Sequence, residues 1–227
     1  MTLSCRDIIV AHPGHLDGSG MLRQLAGDMQ IKRCSVHWLR ALVRAAETLG
    51  VERAELFAHA QLCPSLLNAT DEFIDLRHAG RIWRSAQTLS GGLHFGLHMG
   101  HNIRPTSFSV VSFAIMNCET LGDALRSMHR YQSLVSEGGT TSFSAFGKQT
   151  RICYTPLKLN AHSRHEAEAM AALLVGFARW LTSESFVPAQ LCFAHKRPAS
   201  IADHKAIFRC PVEFEAEGNF AVIDNRW

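Results

Sequence analysis

The chain has 227 residues, 47% of them hydrophobic and 19% charged, a balance that excludes disordered and fibrous classes and suffices for one large domain or two small ones. A formal net charge of +3 is too mild for a nucleic-acid-binding surface, which concentrates basic residues on one face. The seven cysteines stand singly with no C-x-x-C pair, so neither a disulfide framework nor a zinc ribbon is indicated, and a cytoplasmic location fits best.

No signal peptide or membrane span is legible: the apolar run at 8–11 is too short, and the one at 167–177 falls short of the ~20 residues a bilayer needs. Residues 1–33 read as a tail, because HPGHLDGSG clusters turn formers; such a tail is either disordered or docks on the body. Ser35 is placed to cap a helix over 36–49, with Leu39, Leu42, Val43, Ala46 and Leu49 on one face and Gly50 ending it. A shorter helix over 52–61 follows, and the pair reads as a small helical subdomain because no basic recognition helix comes next. A third helix spans 76–89 and a short one 93–99.

From Pro105 the pattern changes: SFSVVSFAIM, residues 107–116, reads as either a strand or a buried helix. Thr120 with Asp123 resembles a capping box that starts a helix over 121–135. Strands over 141–146 and 151–155 form a hairpin across Gly147. The longest helix, 163–181, carries a wide apolar stripe, with Arg164, Glu168 and Arg179 expected outside it. A strand at 191–194, a helix at 202–208 and strands at 212–214 and 220–223 complete the chain. The fold class is α+β: a helical N-terminal half, then a small mixed sheet packed on a long helix. The seam is expected between Gly100 and Thr106, giving a helical part over 34–104 and a mixed part over 105–227, together one domain.

Catalytic chemistry finds no support, since G-x-S-x-G, GxxxxGK[ST] and GxGxxG are all missing; the chain is not read as an enzyme and no cofactor is assigned. His94, His98 and His101 in HFGLHMGH could hold a metal or serve a haem sensor, although no glutamate follows in the H-E-x-x-H sense. His162 and His165 stand where positive charge opposes the helix dipole, and read as neutral surface residues. The candidates for orienting a small ligand are polar residues embedded in apolar elements: Ser109, Ser112, Arg130, Tyr131, Arg179 and His195.

Four segments carry a resemblance: LHFGLHMG, SFSVVSFAIMNCETLGDALRSMHRYQSLVSEG, TSFSAFGKQTRICYTP and LCFAHKRPASIADHKAIFRCPVEF. Over residues 36–224 the chain resembles the N-terminal, arabinose-binding-type effector domain of AraC/XylS-family bacterial transcription regulators. The resemblance implies a domain that binds a small-molecule effector and forms a homodimer. Promoter DNA and RNA polymerase would be reached only through a C-terminal helix-turn-helix domain, absent from this sequence, and no membrane is involved. Two departures stand out: the family tends to have glycine where this chain has Ser109 and Ser112, and again near Phe208, where Arg209 and Cys210 stand here.

Overall fold

A computed structural model describes residues 31–69, 73–91, 94–108, 110–157, 163–183 and 185–227. Most of the expected tail, together with Ser109 and His162, lies outside the described residues. The elements are β1 (Arg33–Ser35), α1 (Val36–Thr48), α2 (Arg53–Ala60), β2 (Phe73–Asp75), α3 (Leu76–Leu89), α4 (Phe95–Asn102), α5 (Val110–Met116) and α6 (Leu121–Tyr131). They continue with β3 (Gly139–Phe146), β4 (Gln149–Pro156), α7 (Ser163–Thr182), β5 (Gln190–Phe193), α8 (Ala202–Phe208), β6 (Val212–Phe214) and β7 (Asn219–Asp224). The α+β class stands.

The caps are local chemistry. Ser35 Oγ accepts from the Trp38 amide at 3.2 Å, Asp75 Oδ1 from Arg77 at 2.8 Å, and Thr120 Oγ1 from Asp123 at 3.1 Å. Each satisfies an amide that the first helical turn leaves without a partner. The segment that could have been strand or helix is a 3₁₀ turn, Pro105–Phe108, followed by α5. Burial explains the choice: Val111 and Ile115 are buried while Phe113 is 69% exposed, a helical period that no strand could give. The two three-residue strands β1 and β2, antiparallel with Cys34 opposite Ile74, are too short to show alternation in sequence.

The main sheet runs in the order β3-β4-β7-β5-β6. All its pairings are antiparallel except β5–β6, which are parallel and joined through α8. Gly147, at φ +57°, takes the left-handed turn between β3 and β4 that a side chain would strain. Two cores result. One gathers α1 to α5 around Leu39, Leu42, Phe57, Ile82, Trp83 and Phe95. The other lies between the sheet and α7, around Val175, Phe186, Leu191, Phe193 and Phe208.

Helix α7 is the wall both cores share. Ala169, Leu173 and Phe177 face the helical core, while Ala167, Ala172, Val175 and Ala178 face the sheet core. With so much of its surface covered, the outward placement expected for Glu168 fails: its side chain is 0% exposed. Helix α4 crosses α7 closely enough that a methyl group at Gly96 or Gly100 would overlap the backbone carbonyls of His165 or Ala169. Among the described residues no helix is long and apolar enough to cross a membrane.

Candidate functional site

A cavity of about 170 Å³ lies at the seam of the two cores. Its walls come from α1 and α3 (Trp38, Trp83), from α6 (Leu125, Met128), from α7 (Met170, Leu174) and from the inner face of the sheet. An apolar cavity of about 150 Å³ is enough for a benzene-sized guest, so this one suits a compact small molecule. The lining is largely apolar, and among its polar groups, which include Ser136 and Asn219, two sets stand out.

The first is Tyr154 on β4 with Glu166 on α7. Burial, and then the charge of Glu166, push the Tyr154 phenol well above the ordinary tyrosine range, so it stays a protonated donor. Gly139 on β3, two residues before the Thr141 that pairs with Tyr154, leaves the space this ring fills, since a Cβ there would overlap it. The second set is a short chain of hydrogen bonds on an exposed edge of the cavity. Thr141 donates from its amide (3.1 Å) and its hydroxyl (2.8 Å) to Gln132 Oε1, while His129 Nδ1 lies 3.0 Å from the Thr141 hydroxyl.

The residues singled out from sequence do not assemble into one site. Ser109 lies outside the described residues. The buried Ser112 takes a hydrogen bond from the Phe108 amide at 3.1 Å and so closes the turn before α5. Arg130 is exposed on α6, and Tyr131 packs half-buried against the helical core. Arg179, expected outside, instead donates to the carbonyls of Phe186, Ile207 and Phe208 at 2.9, 2.7 and 3.2 Å, tying α8 and the 185–189 segment to α7. Neither Arg179 nor His195 lines the cavity.

His94, His98 and His101 do not converge either. His94 caps α4 from a non-helical backbone, which turns its ring edge-on to His204, 5.1 Å between centroids. One turn on, His98 Nε2 donates to Asp203 Oδ2 at 3.0 Å. His165, expected at the surface, is buried.

The cluster that does assemble centres on Glu168. His204 Nε2 donates to its Oε1 at 3.0 Å, Arg164 Nε donates to the same oxygen at 3.1 Å, and His195 Nε2 lies 3.4 Å away. Arg164 Nη2 stands 3.4 Å from His94 Nδ1. Burial pushes the Glu168 carboxyl up, but the His204 hydrogen bond and the Arg164 charge outweigh it and hold the group below its ordinary value. Burial, and then His204, lower the His94 imidazole, and burial lowers His195. The sequence carried one usable sign of this cluster: a lone carboxylate inside a run of alanines, AEAMAA.

A family model described as the arabinose-binding domain of AraC transcription regulators, N-terminal, matches residues 50–227. The ornithine utilization regulator of Pseudomonas aeruginosa is 24% identical over 181 residues, 79% of this chain and 53% of that protein. The crystal structure of the transcriptional regulator CdpR from Pseudomonas aeruginosa aligns with a TM-score of 0.56 at 15% identity, covering 81% of this chain and 54% of the other. At that identity the likeness is one of fold. The chain therefore spans about half the length of each.

Proposed function

The chain belongs to the arabinose-binding domain family of AraC transcription regulators, a regulator domain and not an enzyme class, and from that premise we propose that it senses a small effector held in the cavity along α7. The observation that carries this is the cavity's position: both cores line it, with Trp83 from one and Phe193 from the other facing the same space. A guest there touches both cores at once. It stabilises whichever relative arrangement fits it better, and that differential affinity is what a signal requires.

Tyr154 and the Gln132–Thr141–His129 chain supply hydrogen-bonding groups, and Glu166 supplies a carboxylate complementary to an ammonium group. The apolar remainder suits a short aliphatic body, so a small amine or amino acid is the effector class; one relative is named for ornithine utilization. In this reading the protein works in the cytoplasm as a homodimer. Promoter DNA and RNA polymerase are engaged by a helix-turn-helix domain beyond the sequence described here.

Native mass spectrometry of the purified chain, with a panel of diamines and basic amino acids that includes ornithine, tests the reading. We expect a one-to-one adduct with at least one member, a raised melting temperature, and loss of both in Ala171→Phe, which fills the cavity from α7. An adduct that survives in a folded Ala171→Phe protein would place the effector elsewhere. No adduct with any member would reject the amine class.

A further inference from the structure

We propose that Glu168, His204 and His94 form a binding site for a divalent transition metal of the zinc type, with the fourth coordination position beside His195. Among the described residues this is the only His, Cys, Asp or Glu group whose donor atoms all lie within 4.8 Å of one another. All three side chains are buried, at 0%, 0% and 9% exposure for Glu168, His204 and His94. The ligand set, two imidazoles and a carboxylate, matches the borderline character of zinc.

The spacing suits such an ion. Bonds of about 2.0–2.1 Å in a tetrahedron put neighbouring donor atoms about 3.3 Å apart. Glu168 Oε1 lies 3.0 Å from His204 Nε2, and a His94 ring nitrogen completes the set within 4.8 Å of both; His195 Nε2, 3.4 Å from Glu168 Oε1, borders the fourth position. Three buried atoms of this cluster are left without a hydrogen-bond partner: Glu168 Oε2, His195 Nε2 and His204 Nδ1. Glu168 Oε2 has only His165 Nδ1 at 4.0 Å, beyond hydrogen-bond reach; a fully buried carboxylate oxygen so placed is costly, and a coordinated cation removes that cost.

The hydrogen positions leave room for the ion. On binding, the Nε2 proton of His204 moves to Nδ1, where no present contact is broken. The donors already hold a cation: the Arg164 guanidinium reaches both Glu168 and His94. Its side chain is 30% exposed, so it can withdraw to solvent when a metal enters. The ion would join the start of α4, the second turn of α7 and helix α8, three elements that chain connectivity leaves far apart.

Zinc chloride alone is the probe. Chelator-treated chain is incubated with excess zinc, desalted, and assayed by elemental analysis and thermal melting. We expect one zinc per chain and a raised melting temperature. The His98→Ala/His101→Ala double variant should bind equally well, while Glu168→Gln and His94→Ala should each weaken binding by more than about tenfold. Cobalt(II) added to the unmodified protein should give the intense visible bands of a four-coordinate nitrogen and oxygen site, a readout that needs no variant to fold. The site is overturned by any of four results: no retained zinc in the unmodified protein, full retention in both single variants, loss in the double variant, or the weak spectrum of octahedral cobalt.

Discussion

Arg209 shows how a single residue can stand against its own backbone. It follows α8 at φ +59°, in the left-handed conformation where a Cβ is penalised by about 1 kcal/mol or more and glycine is not. The family resemblance pointed to glycine near this position, and the backbone supplies the reason. The side chain is exposed, so nothing in the packing offsets the strain. Arg209→Gly should therefore stabilise the chain by about 0.5–1 kcal/mol, net of the greater freedom glycine has when unfolded. Chemical denaturation checks this, and a lower midpoint would refute it. Residues of the candidate sites were harder to read from sequence. Ser35, Asp123 and Thr120 act on immediate neighbours, and two of the three caps follow from local pattern. Glu168 draws its partners from 4 to 36 positions away, and no periodicity marks which face of a helix that packs on two cores will meet a histidine.

At the scale of elements, the helices with clear flanking residues and the strands of the main sheet were legible, and the first two strands were not. Helix α3 begins and ends where its apolar spacing and its flanking residues place it, and α8 likewise. Strands β1 and β2 have three residues each, too few for a period, and they exist because β1 finds β2 on one side and the Val135 carbonyl on the other. The crossing of α4 over α7 rests on two glycines, and two substitutions to alanine separate packing from propensity. Gly176 in α7 has open space where a Cβ would stand, so Gly176→Ala should stabilise by about 0.5–1 kcal/mol through helix propensity alone. Gly100→Ala gains the same propensity but drives a methyl into the Ala169 carbonyl, and overpacking of that kind costs about 1–3 kcal/mol. The net effect should be destabilising, read as a lower melting temperature. Opposite signs for the two variants are the expected result, and equal signs would contradict the close crossing.

For the whole molecule, each of the two cores draws residues from both sides of the seam expected at 100–106, Phe108 and Val111 in one and Leu97 in the other; α7 belongs to both, and the cavity lies where they meet. That junction was invisible in sequence because its walls are ordinary core residues, Trp38, Trp83, Leu125 and Phe193, each with an unremarkable local pattern. The order of strands has a temporal side as well. In the sequence β3-β4-β7-β5-β6 the last strand along the chain is the middle strand of the sheet. While the polypeptide emerges from the ribosome, the β3–β4 hairpin and the β5–α8–β6 unit can each form, yet they share no edge until residues 219–224 arrive to pair with both β4 and β5. The sheet thus closes only after all its other strands have been made, and the inner edges of β4 and β5 wait unpaired until then. A chain ending at residue 218 should keep much of its helical circular dichroism but lose amide protection across β4 and β5 in hydrogen exchange. Full protection of those strands in the shortened chain would show that β7 is not what joins them.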